Sequence, residues 1–335
     1  MKIHSDFLDL EAFYKNWKYP KTDESLPDPG NTMKNLDISI KLNVLKGKWK
    51  RLEWEPLMAD LVLKEGDLVI KNARFQSDRG LLTLKGHILQ KKEPKMLFST
   101  LIRLTDQPIE ELLQTLGYKE DRLKGRLTME AVLFMRGKNE KELISSLAGS
   151  GNILMKQGVI RRSHTLIKVL DLLNIGKIFK ERPPDLSREG FYFESIGGHV
   201  SIEKGILDTQ NVMMKSPIFN AVASGKIDLV RETMDSTLGV QPLQTLDTLI
   251  SNIPILGYVL TGKEKTFLTY YFKVQGPIFD PAVEYVPFKN LGTGVAGVLK
   301  RLFLTPTRIF EKLTKPPEGF EEPDSPFPLL LEEPL

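Results

Sequence analysis

The residue types that usually carry chemistry are sparse in this chain and badly spaced for it. There is no cysteine in the 335 residues, which removes disulfides, thiolate metal sites and a cysteine nucleophile together. The four histidines, His4, His87, His164 and His199, show no ligand spacing, so no metal site is expected. No nucleophile elbow, phosphate loop or dinucleotide fingerprint is present. Gly292-Thr293-Gly294 precedes a helical pattern but lacks the lysine of a phosphate loop, and it reads as a hinge. The basic residues Lys156, Arg161, Arg162 and Lys168 read as a solvated face that anionic headgroups could also use. The expectation is therefore a protein without catalytic residues, metal or cofactor, and not an enzyme.

Composition narrows the partners. Forty-seven basic residues are interleaved with 43 acidic ones for a net charge of +4, so nucleic acid is not expected. At 41% apolar and 27% charged the chain is too polar for an integral membrane protein. Its first residues, MKIHSDFLDLEAFY, do not read as a signal peptide. Nowhere does a run of ~18 uninterrupted apolar residues occur.

What the chain has in quantity is alternation. Ile38, Ile40, Leu42 and Val44 fall on one side of a strand, as do Leu57, Ala59, Leu61 and Leu63, with Met58, Asp60, Val62 and Lys64 opposite. Leu68 and Ile70 follow Gly66, then Leu82, Leu84 and Ile88 follow Gly80. Later, Leu268, Tyr270, Phe272 and Val274 alternate with Thr269, Tyr271 and Lys273. The pattern is an antiparallel meander with one apolar face.

This pattern occurs twice. Residues 52–89 align without a gap on residues 191–228, matching Glu55 with Glu194, Gly66 with Gly205, Leu68 with Leu207, Asn72 with Asn211, Ser77 with Ser216 and Gly86 with Gly225. A glycine recurring between two alternating runs marks a turn that glycine makes cheaply, so the repeated unit is a hairpin plus a third strand. Short helices are expected at 108–116 and 140–148, a longer one at 163–180 stopped by Pro183 and Pro184, and another at 242–251.

The expected division is an N-terminal segment and linker over 1–35, a β-domain over 36–290, a helical segment over 291–314 and a disordered acidic, proline-containing tail over 315–335. Within the β-domain, repeat units cover about 36–107 and 123–229, and closing strands cover 230–290. The fold class is mainly β with short helices: an elongated twisted antiparallel sheet curled into an apolar groove, with helices capping or lining it.

Several motifs taken in order resemble the AsmA-like C-terminal domain family of bacterial envelope proteins, the AsmA, TamB and YhdP type. They are Leu123-Lys124-Gly125-Arg126-Leu127, Leu147-Ala148-Gly149-Ser150-Gly151-Asn152-Ile153, Gly197-Gly198, Ile253-Pro254-Ile255-Leu256-Gly257 and Val274-Gln275-Gly276-Pro277. The resemblance implies a groove that carries phospholipids across the periplasm from an inner-membrane anchor. The anchor is not in these residues, so the chain is expected to be a fragment, to start elsewhere or to rely on a partner.

On that resemblance the lipid-groove candidates are Leu57, Leu61, Leu63, Leu68, Ile70, Leu82, Leu84, Ile88, Val200, Ile202, Leu207, Ala223, Ile227, Leu268, Tyr270, Phe272 and Val274. The competing reading of the same face is an ordinary core beneath helices or a second sheet. Leu299, Lys300, Arg301, Leu302 and Phe303 suit an amphipathic helix lying on an anionic membrane surface, and equally a helix capping the sheet. Other envelope proteins are possible partners, and the alternative function is a scaffold or outer-membrane assembly factor that binds through edge strands.

Overall fold

The computed structural model describes residues 1–9, 37–49, 52–77, 80–90, 96–115, 122–161, 163–173, 190–243, 258–261, 266–291 and 293–304. The expected linker before residue 36, the expected helix at 242–251, Pro183, Pro184, Gly292 and the tail lie outside them, apart from Pro242 and Leu243, which end a strand.

The strands in chain order are β1 (Lys2–Asp9), β2 (Asp37–Trp49), β3 (Leu52–Trp54), β4 (Leu57–Lys64), β5 (Asp67–Ser77), β6 (Gly80–Gln90), β7 (Met96–Pro108) and β8 (Leu123–Gly137). They continue as β9 (Ala148–Ile160), β10 (Phe191–Glu203), β11 (Ile206–Lys215), β12 (Phe219–Asp228), β13 (Thr233–Pro242), β14 (Tyr258–Thr261), β15 (Thr266–Pro277) and β16 (Ala282–Tyr285). Among the described residues four α-helices accompany them: α1 (Ile109–Thr115), α2 (Glu140–Ser146), α3 (His164–Leu172) and α4 (Thr293–Leu304). The strands form one long, open, curled sheet in the order β1-β2-β4-β5-β6-β7-β8-β9-β10-β11-β12-β13-β15-β14, with β3 on β2 and β16 on β15.

Almost every neighbour in that order is also a neighbour in sequence, which is the outcome expected of hairpins laid down one after another. The exceptions are β2 beside β4 and β13 beside β15. β1 departs from the antiparallel pattern: it pairs parallel with β2, through Ile3 with Leu42 and Ser5 with Val44, and so extends the sheet into the N-terminal segment that precedes the expected linker. Its alternation is interrupted by His4, Ser5 and Asp6, which hides it from a pattern search.

The repeat is structural down to its irregularities. Glu65 (φ 53°) and Gly66 (φ 88°) turn β4 into β5, and Lys204 (φ 51°) and Gly205 (φ 74°) turn β10 into β11 in the same way. Two consecutive positive φ values define the hairpin turn whose twist matches the flanking strands. Between β5 and β6 the register shifts between Ile70 and Ala73; between β11 and β12 it shifts between Thr209 and Val212, each 139 residues on. Ser77 Oγ donates to the Gly80 carbonyl at 3.3 Å, and its counterpart Ser216 Oγ donates to the Phe219 carbonyl at 2.6 Å.

At Gly205 an added Cβ lies 2.6 Å from the Ile144 carbonyl oxygen. Gly205→Ala therefore combines a left-handed backbone, about 1–2 kcal/mol, with a collision against the end of α2. The expected result is a lower urea midpoint with an unchanged slope.

Caps follow the sequence. Asn139 accepts the Glu142 amide at 2.9 Å to start α2, and Ser163 accepts the Leu166 amide at 3.2 Å to start α3. α2 ends before Gly149, because β9 already begins at Ala148.

Candidate functional site

Cross-strand partners share a face of a sheet, so the registers show which side chains line up. One row runs Ile40, Leu61, Ile70, Gly86, Thr100, Leu133, Gly149, Ile202, Leu207, Ile227, Met234 and Gly276, from β2 across to β15 without a break. It contains no charged residue, and every member is half-buried. Beside it run Leu63, Leu68, Ile88, Phe98 and Met135 on one side, and Ala73, Leu84, Ile102, Ala131, Gly151 and Val200 on the other.

In the open, curled sheet this apolar face lines the hollow, and its glycines bring neighbouring strands close. A Cβ on Gly151 meets the Cβ of its neighbour Ala131 at 2.7 Å, and one on Gly225 meets Ser236 Cβ at 2.5 Å. Cross-strand Cβ atoms in a flat sheet stand roughly 4.5–5.5 Å apart. Glycine at these positions leaves room for that approach.

The back of the sheet carries polar cross-strand pairs beside apolar ones such as Val62 with Val69 and Leu101 with Val132. Arg103 makes two hydrogen bonds of 3.1 Å to Glu130, whose next neighbour Asn152 meets His199 Nδ1 at 2.9 Å. Asp235 accepts from Lys273 and from Gln275 Nε2, and these two bonds hold its carboxyl below the usual range. Arg126 does the same for Asp106 at the rim, at 2.5 Å. His87 also faces this side, between Val69 and Ser99; burial lowers its pKa, partly opposed by Asp67. The four histidines sit on four separate elements, β1, β6, α3 and β10.

The candidates divide into two sets. Leu61, Leu63, Leu68, Ile70, Leu82, Leu84 and Ile88 share the concave face and are half-buried, with Val200, Ile202, Leu207, Ala223 and Ile227 continuing it. Leu57, 3% exposed, is instead packed with Val44 and Trp54. Tyr270, Phe272 and Val274 are 3%, 1% and 2% exposed. Tyr270 and Phe272 lie in a core with Val169, Leu170 and Leu173 of the α3 segment, and Val274 pairs with Val283 of β16. These four are interior packing, which corrects the expectation of open lining. Burial raises the pKa of Tyr270, with a smaller contribution from Tyr285. Leu268 pairs with Val259 in β15, and its side chain is outside the described set.

Pattern reading missed β7 to β9 as lining. Phe98, Ile102, Met129, Leu133, Met135 and Ile153 belong to the same face, and the spacing Met129, Ala131, Leu133, Met135 carried the signal.

The helical segment is corrected too. Leu299, Leu302 and Phe303 are 0%, 4% and 9% exposed and pack with Met213, Val222 and Tyr271 on the back of the sheet. They are occupied by the chain itself, so the cap reading holds and the membrane-contact reading fails for these three. Arg301 is exposed, its Nε donating to the Gly297 carbonyl at 3.3 Å; Lys300 lies in α4, with its side chain outside the described set. Leu302→Ala is expected to cost about 2–5 kcal/mol of unfolding free energy by urea titration.

A one-sided, curled, repeat-built sheet with an apolar hollow defines a class of protein whose working surface is a whole face. Among the described residues no helix is long and apolar enough to cross a membrane. The family model for the YhdP protein matches residues 1–283, and the chain belongs to that family, which is of the AsmA/YhdP envelope type. No curated protein and no solved structure matched the chain.

Proposed function

We propose that this chain is a non-enzymatic module that shelters the acyl chains of phospholipids in the concave face as they pass between membranes of the cell envelope. The observation that carries the reading is the uncharged, half-buried row from Ile40 to Gly276. Keeping a 16-carbon acyl chain out of water is worth on the order of 12 kcal/mol, at about 0.8 per methylene. A long apolar hollow supplies that shelter along its length while headgroups stay wet. Family membership supports a periplasmic setting beside the inner membrane.

The test is photo-crosslinking from positions Leu61, Leu84 and Ala223 on the concave face and Thr83 on the back, with the chain held against phospholipid vesicles. Lipid adducts at the first three and none at Thr83 are expected. Equal labelling on both faces overturns the proposal.

A second reading rests on β1, the strand at the lateral edge of the sheet among the described residues. Such an edge accepts an added strand, so the chain would act as an envelope scaffold. Protein adducts concentrated along β1, with no lipid adducts, would favour it.

A further inference from the structure

Deep in the second repeat unit the hollow is closed by the chain itself. The curl carries the start of β8 round to the turn between β15 and β16, where the Arg122 guanidinium stands 5.7 Å from the centre of the Phe279 ring. α3 lies beneath that crossing. Lys168 Nζ reaches out of it to Asp280 Oδ1 at 2.9 Å and to the Pro281 carbonyl at 3.0 Å.

Two features of this closure differ from the rest of the core. Its outer fastening is exposed: the Lys168 and Asp280 side chains are 43% and 65% accessible, where an ion pair contributes little against water and salt. Its inner contact is chemically interchangeable with a lipid tail. Val169, Leu170 and Leu173 rest on Phe219, Ala221, Val240, Tyr270 and Phe272, which continue the same face as Ala223 and Leu238. A nine-residue helix is too short to hold its shape alone, so α3 is in place only because that surface accepts it.

We infer that α3, fastened by the 277–281 turn of the sheet, forms a displaceable stopper, which an arriving acyl chain replaces on the surface beneath. The inference rests on the lipid-sheltering reading and adds a gate to it. Exchange is favourable in form because apolar contact is swapped for apolar contact, and the polar contacts given up include the exposed Lys168–Asp280 pair and the Lys168 bond to the Pro281 carbonyl. The rest of the hollow stays open throughout.

The experiment uses the full chain, vesicles of phosphatidylethanolamine and phosphatidylglycerol, and a photo-crosslinker at Leu238 beside the stopper, with Leu84 as the reference position. Lys168→Glu is expected to raise lipid adducts at Leu238 severalfold and leave those at Leu84 unchanged. The charge swap Lys168→Glu with Asp280→Lys returns the Leu238 signal to its starting level. Because the chain has no cysteine, K168C with D280C bridged by a short bis-maleimide fixes the stopper specifically, and the Leu238 adduct should then disappear. Equal labelling at Leu238 in bridged and broken forms, with Leu84 labelled normally, overturns the stopper. If Leu84 is unlabelled, the lipid reading has failed, and hydrogen exchange still judges the stopper. Faster exchange of α3 amides in Lys168→Glu supports it, and identical α3 exchange in all forms rejects it.

Discussion

Leu84→Glu is expected to abolish acyl-chain retention while leaving the fold standing. Leu84 sits between Ala73 and Ile102 in the middle of the concave face and is half-buried. A carboxylate there excludes roughly four methylenes from contact, about 3 kcal/mol, or on the order of a hundredfold in lipid retention. Water reaches the position, so the charge need not be desolvated for the chain to fold, and the change in unfolding free energy should stay within roughly 1 kcal/mol. Thr83→Glu is the control. It places the same charge one residue away on the back, between Arg74 and Arg103, and should change neither retention nor stability. Lipid co-purification and urea titration of both variants separate the outcomes; equal retention by Leu84→Glu and Thr83→Glu would remove the concave face from the mechanism.

Phe272→Ala should behave in the opposite way. The side chain is 1% exposed, lies in the core with Val169, Leu170 and Leu173, and stands with its ring centre 6.2 Å from that of Tyr285 in an edge-on arrangement. Truncating a buried phenylalanine costs about 3–5 kcal/mol through lost burial and the cavity left behind. The loss falls first on α3, whose seat is removed, so limited proteolysis should cut near α3 before it cuts the β4 to β8 region. A variant as resistant as the wild type would mean that α3 is held by something other than this surface.

These two residues also show how far the sequence could be read. Leu84 and Phe272 both occupy the inward position of an alternating strand, and their face could be assigned from spacing alone. What separates them is α3, more than 90 residues before Phe272, and alternation carries no information about a cover so distant in sequence. The hairpin turns were legible for the opposite reason: Gly66 and Gly205 answer a local demand for positive φ that their own neighbours impose. α4 illustrates an ambiguity of a third kind. An amphipathic stripe of Leu299, Leu302 and Phe303 fits a bilayer and a sheet equally, and only the Met213, Val222 and Tyr271 patch decides between them. β1 was hidden because its partner strand lies across the 10–36 segment and its own polar residues blur the period.

The row from Ile40 to Gly276 has a kinetic consequence on the proposed reading. Each step sideways offers a passenger nearly the same aliphatic surroundings, with no charge to grip it and no deep well to leave. Transit along such a rail is diffusion over a smooth landscape, so speed comes from monotony, and any preference for one kind of cargo has to be exercised at the ends.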